Sequence, residues 1–492
     1  MATPIPTNQC ILTLDEVRTA AGGELFGPGA ATVRGVSIDT RAITPRALFV
    51  ALAGADRDGH DFIADAARRG ATAAVVARGR RDRALACIEV DDTLTALGAL
   101  ARHHMIRRRA ASDFAIVAIG GAAGKTTTKE LTAAAVRALF GETLATPGNL
   151  NNRIGVPMTL FTLSDKHRAA VLECGTNMRG EIARLAHIVE PDVAMVLNVD
   201  IEHSEGLGTL DEIADEECAL FATARRGAVA CAEEALVMAR VPRHLALVTF
   251  GDSPAADVRV AARTPETGVR AATRLSLALA PRLVAPGAPA TLAVRLAMLG
   301  PAAARNAAAA VAAAAALRAR PLDARDLAAL TSALAAVGPV AGRLATRALA
   351  GLTVIDDTYN SNPRSMRAAL EAASETARGL GARLVVALGD MLELGDLSAA
   401  MHVQVLAEAL TFAPAAIVAV GPEMAAAWRE LDAPDSTGRA DTPAMRGSTQ
   451  VITVADSAAA ASIVRGLTAT GDVLMVKGSR GMRMERIIEA LE

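Results

Sequence analysis

Short apolar runs recur along the chain, each closing on glycine or a polar residue. Between them lie segments whose apolar positions return every three or four residues. From residue 113 to about 200, "AIVAIG", "AAVLECG" and "VAMVLNV" alternate in this way with "TTTKELTAAAVRALF" and "GEIARLAHIV". Apolar runs of that length predict buried strands and the intervening periodicity predicts helices, so the region reads as a parallel sheet with helical crossovers. From near residue 339, "LTVIDD", "RLVVALG", "AAIVAVG" and "VLMVKG" repeat the alternation and predict a second doubly wound sheet.

A smaller unit comes first, over residues 12 to about 108. Here "VRGVSIDTR", "ALFVALAG" and "TAAVVA" read as strands, and "HDFIADAARRGA" as a helix stopped by glycine. The helix "TLTALGALARHHMIRRR" leads out of it. Residues 245–299 are strand-like and rich in Pro and Gly, and an alanine-rich helix covers about 301–318. The predicted fold class is α/β in three domains, 1–108, 109–337 and 338–492.

Composition narrows the function classes. The 492 residues suffice for two to four domains. Aromatic residues are only 2%, so Ala, Leu and Val must fill the cores. Lys and Arg number 51 against 53 Asp and Glu, so no overall basic field exists to hold nucleic acid, and none is expected as a partner. The run Arg107-Arg108-Arg109 reads as a solvated helix end. Five cysteines without a C-x-x-C pair predict reduced thiols in a cytoplasmic protein, and the first ten residues carry no signal-peptide pattern. "AAAAVAAAAAL" at 307–317 is far shorter than the roughly 20 residues of a membrane span and predicts a packed helix.

The strongest chemical signal is "FAIVAIGGAAGKTTTKE", residues 114–130, which reads as strand, small-residue loop and helix. Gly121, Ala122, Ala123 and Gly124 let backbone N–H groups approach phosphate, and the helix N-terminus adds its dipole. Lys125 is placed for the β- and γ-phosphates, and Thr126, followed by Thr127, for Mg²⁺. The loop is one step shorter than G-x-x-x-x-G-K-[ST], because Ile119 stands where that pattern has glycine. Glu173 ends the next apolar strand and His203 lies just past another, both suited to Mg²⁺. "GNLNNR" gathers Asn149, Asn151 and Asn152, which could bind a ligand or cap the backbone of a turn. Arg343 opens the third unit, and "DDTYNSNP" crowds Tyr359, Asn360 and Asn362 at a strand end. Lys477 and Arg480 in "VKGSRG" could clamp a carboxylate or phosphate.

Together these blocks, with "ECGTNMRGEI", "LGDMLELG" and the N-terminal "SIDTR", "LFVALAG" and "DGHDF", resemble the Mur ligase family over about 35–490. The shortened phosphate loop is that family's own variant. The resemblance implies a uridine-nucleotide domain, a central P-loop-type ATPase sheet and a C-terminal Rossmann-like domain. "YNSNPRSM" is similar to the family's dipeptide-adding branch, where the branch adding the third amino acid would carry D-N-P-R or a related motif. Folylpolyglutamate synthases share the central ATPase but not the N-terminal domain. The implied reaction joins D-Ala-D-Ala to UDP-N-acetylmuramoyl tripeptide through an acyl phosphate, with ATP and Mg²⁺, in a monomer. Two alternatives stand beside it: another amino-acid-adding Mur ligase, or a non-catalytic nucleotide-binding relative.

Family roles carried over by resemblance make Thr126, Glu173 and His203 metal ligands. Asn306 would contact adenine and Arg343 the phosphates. Tyr359, Asn360, Asn362, Lys477 and Arg480 would hold the dipeptide and acyl end, and Asp39, Arg41 and His60 belong to the uridine motifs. Two positions depart from the pattern. Where the family carries a carbamylated lysine, this chain has Glu217, preceded by Glu216. Its carboxylate could replace the carbamate, although a shorter side chain would call for a water bridge or a helix shift. Ala302 and Ala303 stand where the family has His-Asn, while Asn306 is kept.

Overall fold

The computed structural model describes residues 3–54, 56–266, 271–432 and 444–492. The central sheet has nine strands. Its first strand, Ala115–Gly120, is buried at every position and lies between Ala169–Glu173 and Val193–Val196, both parallel to it. Thr143–Ala145 flanks Ala169–Glu173 on the outer side, so the strand order reverses around Ala115–Gly120. In sheets of this kind ligands bind beyond the carboxyl ends of the strands at such a reversal. On the other side Gly227–Cys231, Ala246–Gly251 and Val258–Glu266 continue in parallel, and Ala272–Leu279 and Thr291–Leu296 finish the sheet antiparallel.

The C-terminal sheet of seven strands places Val473–Lys477 between Leu352–Asp357 and Leu384–Gly389, followed by Ala416–Val420 and Thr449–Val454, all parallel. Ala345–Leu349 and Ala444–Arg446 add antiparallel edges. The N-terminal sheet runs Glu24–Phe26, Ala86–Val90, Ala73–Ala77, Leu48–Val50 and Val36–Ser37, with a separate pair formed by Ile11–Thr13 and Thr32–Arg34. Three α/β units are therefore present, as the alternation predicts. The pattern reading did not anticipate the strand Ala86–Val90 or the helices Leu14–Ala21 and Ala324–Ala335. The helix expected from His60 starts instead as a 3₁₀ turn, Gly59–Phe62, before Ile63–Arg68.

The helix Thr93–Ala111 joins the first unit to the second. Its Leu97, Leu100 and Met105 belong to one continuous core with Leu12 and Val50 on one side and Phe161 and Leu185 on the other. The arginine run at its end is not a solvated terminus. Arg107 bonds the Ile11 carbonyl at 3.1 Å, Arg108 reaches Asp165 at 2.5 Å, and the largely buried Arg109 reaches Asp192 at 3.0 Å and the Glu190 carbonyl at 2.7 Å. The three arginines tie the two units together, using partners far away in sequence.

The middle of the alanine-rich helix Gly300–Arg318 is packed on all sides, and every side chain from Ala307 to Ala314 is fully buried. A helix apolar all round must sit inside the protein. It lies against the phosphate-loop helix Lys125–Phe140 and the first helix of the C-terminal unit, Pro363–Leu380. At its start a Cβ on Gly300 would stand 2.9 Å from Ala372 Cβ, so only glycine permits that approach. Among the described residues no helix is long and apolar enough to cross a membrane, and all five cysteines are free and buried.

Candidate active site

A cleft of about 720 Å³ lies where the strand-end loops of the central and C-terminal sheets face each other. The phosphate loop forms one wall. Gly121 and Gly124 adopt φ of 118° and 87°, a region that favours glycine. A Cβ on Gly121 would collide with the Leu197 nitrogen at 2.9 Å, and one on Gly124 with Asn306 Oδ1 at 2.9 Å. Asn306 therefore stands beside the loop and lines the cleft with Ala302 and Ala303. Asn198, which the sequence reading passed over, fixes the loop. Its Oδ1 accepts from Ala123 N at 2.8 Å and its Nδ2 donates to Ala123 O at 2.9 Å.

Lys125, the first residue of the helix, folds back to donate to the Gly121 carbonyl at 2.5 Å and lies 3.6 Å from Glu202. Burial works against its ammonium, but the carboxylates of Glu202, Glu217 and Glu173 outweigh it and hold the pKa above the usual lysine value. Glu202 is the second residue the sequence did not reveal. Burial pushes its carboxyl up to about 8 despite the neighbouring Lys125. One of its oxygens accepts from Asn362 Nδ2 at 3.3 Å and the other has no hydrogen-bond partner.

Thr126 donates to Glu173 Oε1 at 3.2 Å, and Asn151 Nδ2 donates to the same oxygen at 2.9 Å. Glu173 Oε2 is buried without a partner. Glu217 reaches the loop directly. Its Oε2 accepts from Gly121 N at 2.6 Å, and its Oε1 is buried and unpartnered. Burial raises the Glu217 pKa. The adjacent Glu216 faces another way and accepts from Gly180 N at 2.6 Å, Ile182 N at 2.7 Å and Thr176 Oγ1 at 3.3 Å, holding the start of the helix Glu181–Val189.

His203 lines the cleft with its Nδ1 against Glu393 of the C-terminal unit. Both residues have positive φ, 48° and 67°. Among the described residues no three His, Cys, Asp or Glu side chains converge closely enough to hold an ion alone. The donors nevertheless fit Mg²⁺ arriving with phosphates. They offer a hydroxyl and unpartnered oxygens of Glu173 and Glu217, all hard ligands, in a site where each unpaired buried oxygen is otherwise unfavourable.

The C-terminal unit supplies the opposite wall. Asn362 caps the helix Pro363–Leu380 and also donates to Ala122 O at 3.3 Å, touching the phosphate loop itself. Tyr359 packs its ring 4.3 Å from the Arg343 guanidinium, and both line the cleft. Lys477 is fully buried between Asp357 Oδ2 at 2.6 Å and the Asn360 carbonyl at 2.8 Å, so its charge is already paired. Arg480 lies outside the cleft lining, 6.0 Å from the Tyr359 ring and 3.5 Å from Glu485.

The three asparagines divide. Asn149 accepts from Thr3 Oγ1 at 2.7 Å, Asn151 serves Glu173, and Asn152 caps the backbone at Ile154 and Gly155, yet all three line the cleft. The N-terminal motif residues lie outside its lining. Asp39 caps a 3₁₀ turn and pairs with the exposed Arg41 at 2.6 Å. His60 is engaged at both ring nitrogens, by Asp58 at 2.6 Å and Ala77 N at 2.9 Å, so in this structure it fastens the 3₁₀ turn to the sheet rather than offering a free donor.

Comparison with known proteins gives the family. Three family models match: Mur ligase family, catalytic domain, over residues 32–105; Mur ligase middle domain over 119–314; and Mur ligase, glutamate ligase domain, over 342–480. The UDP-N-acetylmuramoyl-tripeptide–D-alanyl-D-alanine ligase of Escherichia coli is 32% identical over 494 residues, covering 98% of each chain. The enzyme of the same name from Treponema pallidum is 32% identical over 501 residues, covering 97% of this chain and 98% of its own. A crystal structure of MurF from Acinetobacter baumannii superposes with a TM-score of 0.83 at 28% identity, covering 98% of this chain and 99% of that one. With its three units, its shortened phosphate loop and relatives matched end to end, this chain belongs to the Mur ligase family.

Proposed function

We propose that the chain is the ATP-dependent ligase that joins D-Ala-D-Ala to UDP-N-acetylmuramoyl tripeptide, giving the pentapeptide precursor of peptidoglycan with release of ADP and phosphate. The observation that carries this reading is Lys125 at the strand-order reversal, ringed by Glu173, Glu202 and Glu217 and closed over by Asn362. The tripeptide carboxylate takes the γ-phosphoryl group to become an acyl phosphate. The amine of D-Ala-D-Ala then attacks the acyl carbon, and phosphate leaves.

The backbone of Gly121, Ala122, Ala123 and Gly124, with Thr127, cradles the nucleotide phosphates, and Lys125 balances charge on the transferring group. Thr126, Glu173, Glu217 and His203 would hold Mg²⁺, which supplies further positive charge there. Arg343 approaches the phosphates, and Asn306 lies on the adenine side. Asn149, Asn151 and Asn152 bound the acyl end, while Tyr359, Asn360 and Asn362 bound the dipeptide. Lys477 and Arg480 orient these loops. Asp39 and Arg41 serve the uridine end, and His60 holds their unit in shape. Asn362 brings the C-terminal unit against the phosphate loop, and closure of the units over ATP would keep water from the reactive anhydride. The enzyme works as a cytoplasmic monomer.

A coupled phosphate-release assay tests this. Purified protein with ATP and Mg²⁺ is given tripeptides ending in diaminopimelate or lysine, together with D-Ala-D-Ala or single amino acids. Phosphate release dependent on both the tripeptide and the dipeptide is expected. ATP binding with no new amide bond, under conditions where a sister enzyme makes one, would overturn the reading.

A further inference from the structure

A second cavity, of about 600 Å³, lies away from the catalytic cleft, between the helices Thr93–Ala111 and Glu181–Val189. The two helices touch at Gly98, where an added Cβ would stand 2.6 Å from Ile188 Cδ1. The cavity occupies the space beside this crossing. Its apolar surface comes from Leu94, Ala99, Ile106 and Ile188. Its polar surface includes Arg102, His103, Arg153, Arg184 and His187, and no carboxylate lines it.

Two carboxylates adjoin it, and both are engaged. Glu190 pairs with Arg102, and Glu16 pairs with Arg107 at 3.1 Å while lying 4.0 Å from His103. Arg153 and Arg184 have no ion-pair partner among the described residues. Two uncompensated guanidiniums over an apolar floor match a ligand with an anionic head and an apolar body.

We propose that this cavity binds a small soluble amphiphilic anion, a phosphate, sulfonate or carboxylate on an aliphatic or aromatic body, and reports its presence to the catalytic cleft. The link is Arg153. It directly follows Asn152, which lines the catalytic cleft and accepts from the Gly155 N–H at 2.8 Å, where the helix Gly155–Leu160 begins. A ligand held by the Arg153 head acts on the loop that, in the function proposed above, bounds the acyl substrate. Occupancy therefore shifts KM for the UDP-linked substrate more than kcat.

The test uses the full chain with ADP and Mg²⁺ present, so that the nucleotide site is filled. The probe is 1-anilinonaphthalene-8-sulfonate, followed by fluorescence. Saturable binding is expected, weakened at least ten-fold in R153E/R184E and less in R153Q/R184Q. The uncharged N-phenyl-1-naphthylamine should not distinguish wild type from either variant. Hexyl phosphate should displace the sulfonate where inorganic phosphate at equal concentration does not, and should change KM for the UDP-linked substrate in wild type but not in R184E. Circular dichroism melts of the Gln and Glu variants guard against misfolding. Equal binding of the sulfonate by wild type and folded variants would overturn the proposal. So would displacement by anionic phospholipid vesicles but not by hexyl phosphate.

Discussion

The two large sheets present similar strand-end loops to one cleft but use their polar atoms differently. Around the central sheet, Glu173 and Glu217 each keep one buried oxygen without a partner, and the free oxygen of Glu202 has only the ammonium of Lys125 at 3.6 Å. On the C-terminal sheet, Lys477 is held by Asp357 and the Asn360 carbonyl, and Asn362 caps a helix. An unpartnered buried oxygen is unfavourable by about 1–3 kcal/mol and persists where a charged group is to arrive. Satisfied groups instead fix the shape of a wall. The central loops thus carry the unpartnered carboxylate oxygens, while the C-terminal wall is mostly satisfied, with Ser361 Oγ as its one unpartnered cleft-lining hydroxyl among the described residues.

Four experiments sharpen or break this contrast. Lys125→Ala should lower kcat by about 10²–10³-fold in the phosphate-release assay, with the fold retained, because it removes the charge facing the transferred group. Lys477→Met should act on stability, lowering the unfolding free energy in urea melts by about 3–5 kcal/mol, because Asp357 would remain buried and unpaired. An unchanged melt together with a large loss of kcat would move Lys477 to the reactive side of the comparison.

The neighbouring glutamates provide a finer test. Glu217→Ala should lower kcat by about 100-fold and raise the Mg²⁺ requirement, and bicarbonate should not stimulate the wild type. Glu216→Ala should mainly lower stability, by about 1–3 kcal/mol, because the amides of Gly180 and Ile182 lose their acceptor. Equal, mild losses of activity in both would refute the idea that Glu217 supplies the charge of a carbamylated lysine.

The smallest effect concerns His104, buried at the joint between the first two units. Its Nδ1 lies 3.2 Å from Cys10 Sγ, and its Nε2 lies 3.1 Å from the Leu163 carbonyl. Burial holds its pKa below the usual histidine value of about 6.5. The unfolded chain therefore takes up a proton first, and the stability from keeping the ring neutral declines as pH falls below 6.5. Thermal melts should show this slope in wild type and a flatter one in His104→Gln.

Much of this was readable in the sequence, because strands, helices and the phosphate loop follow from local periods and spacings. The three units and the cleft-lining positions of Lys125, Thr126, Glu173 and Asn306 belong to that legible part. What stayed hidden depended on partners distant in the chain. Arg109 looks solvated until Asp192 is brought beside it, and His60 looks available until Asp58 and Ala77 take both its nitrogens. Glu202 reads as one more acidic residue before a histidine, and only folding sets it against Lys125 and Asn362. The "NVD" at a strand end offered a signal for Asn198, since that is where a phosphate loop finds its neighbours.

The helix Gly300–Arg318 carries a thermodynamic consequence. A methyl group has no rotamers to lose, so fixing Ala307–Ala310 and Ala312–Ala315 in the interior surrenders almost no side-chain entropy, whereas long side chains forfeit up to about 2 kcal/mol each. The element wedged between the phosphate-loop helix and the closing unit is therefore one of the least entropically demanding to order, and it has few alternative packings to visit when the enzyme warms.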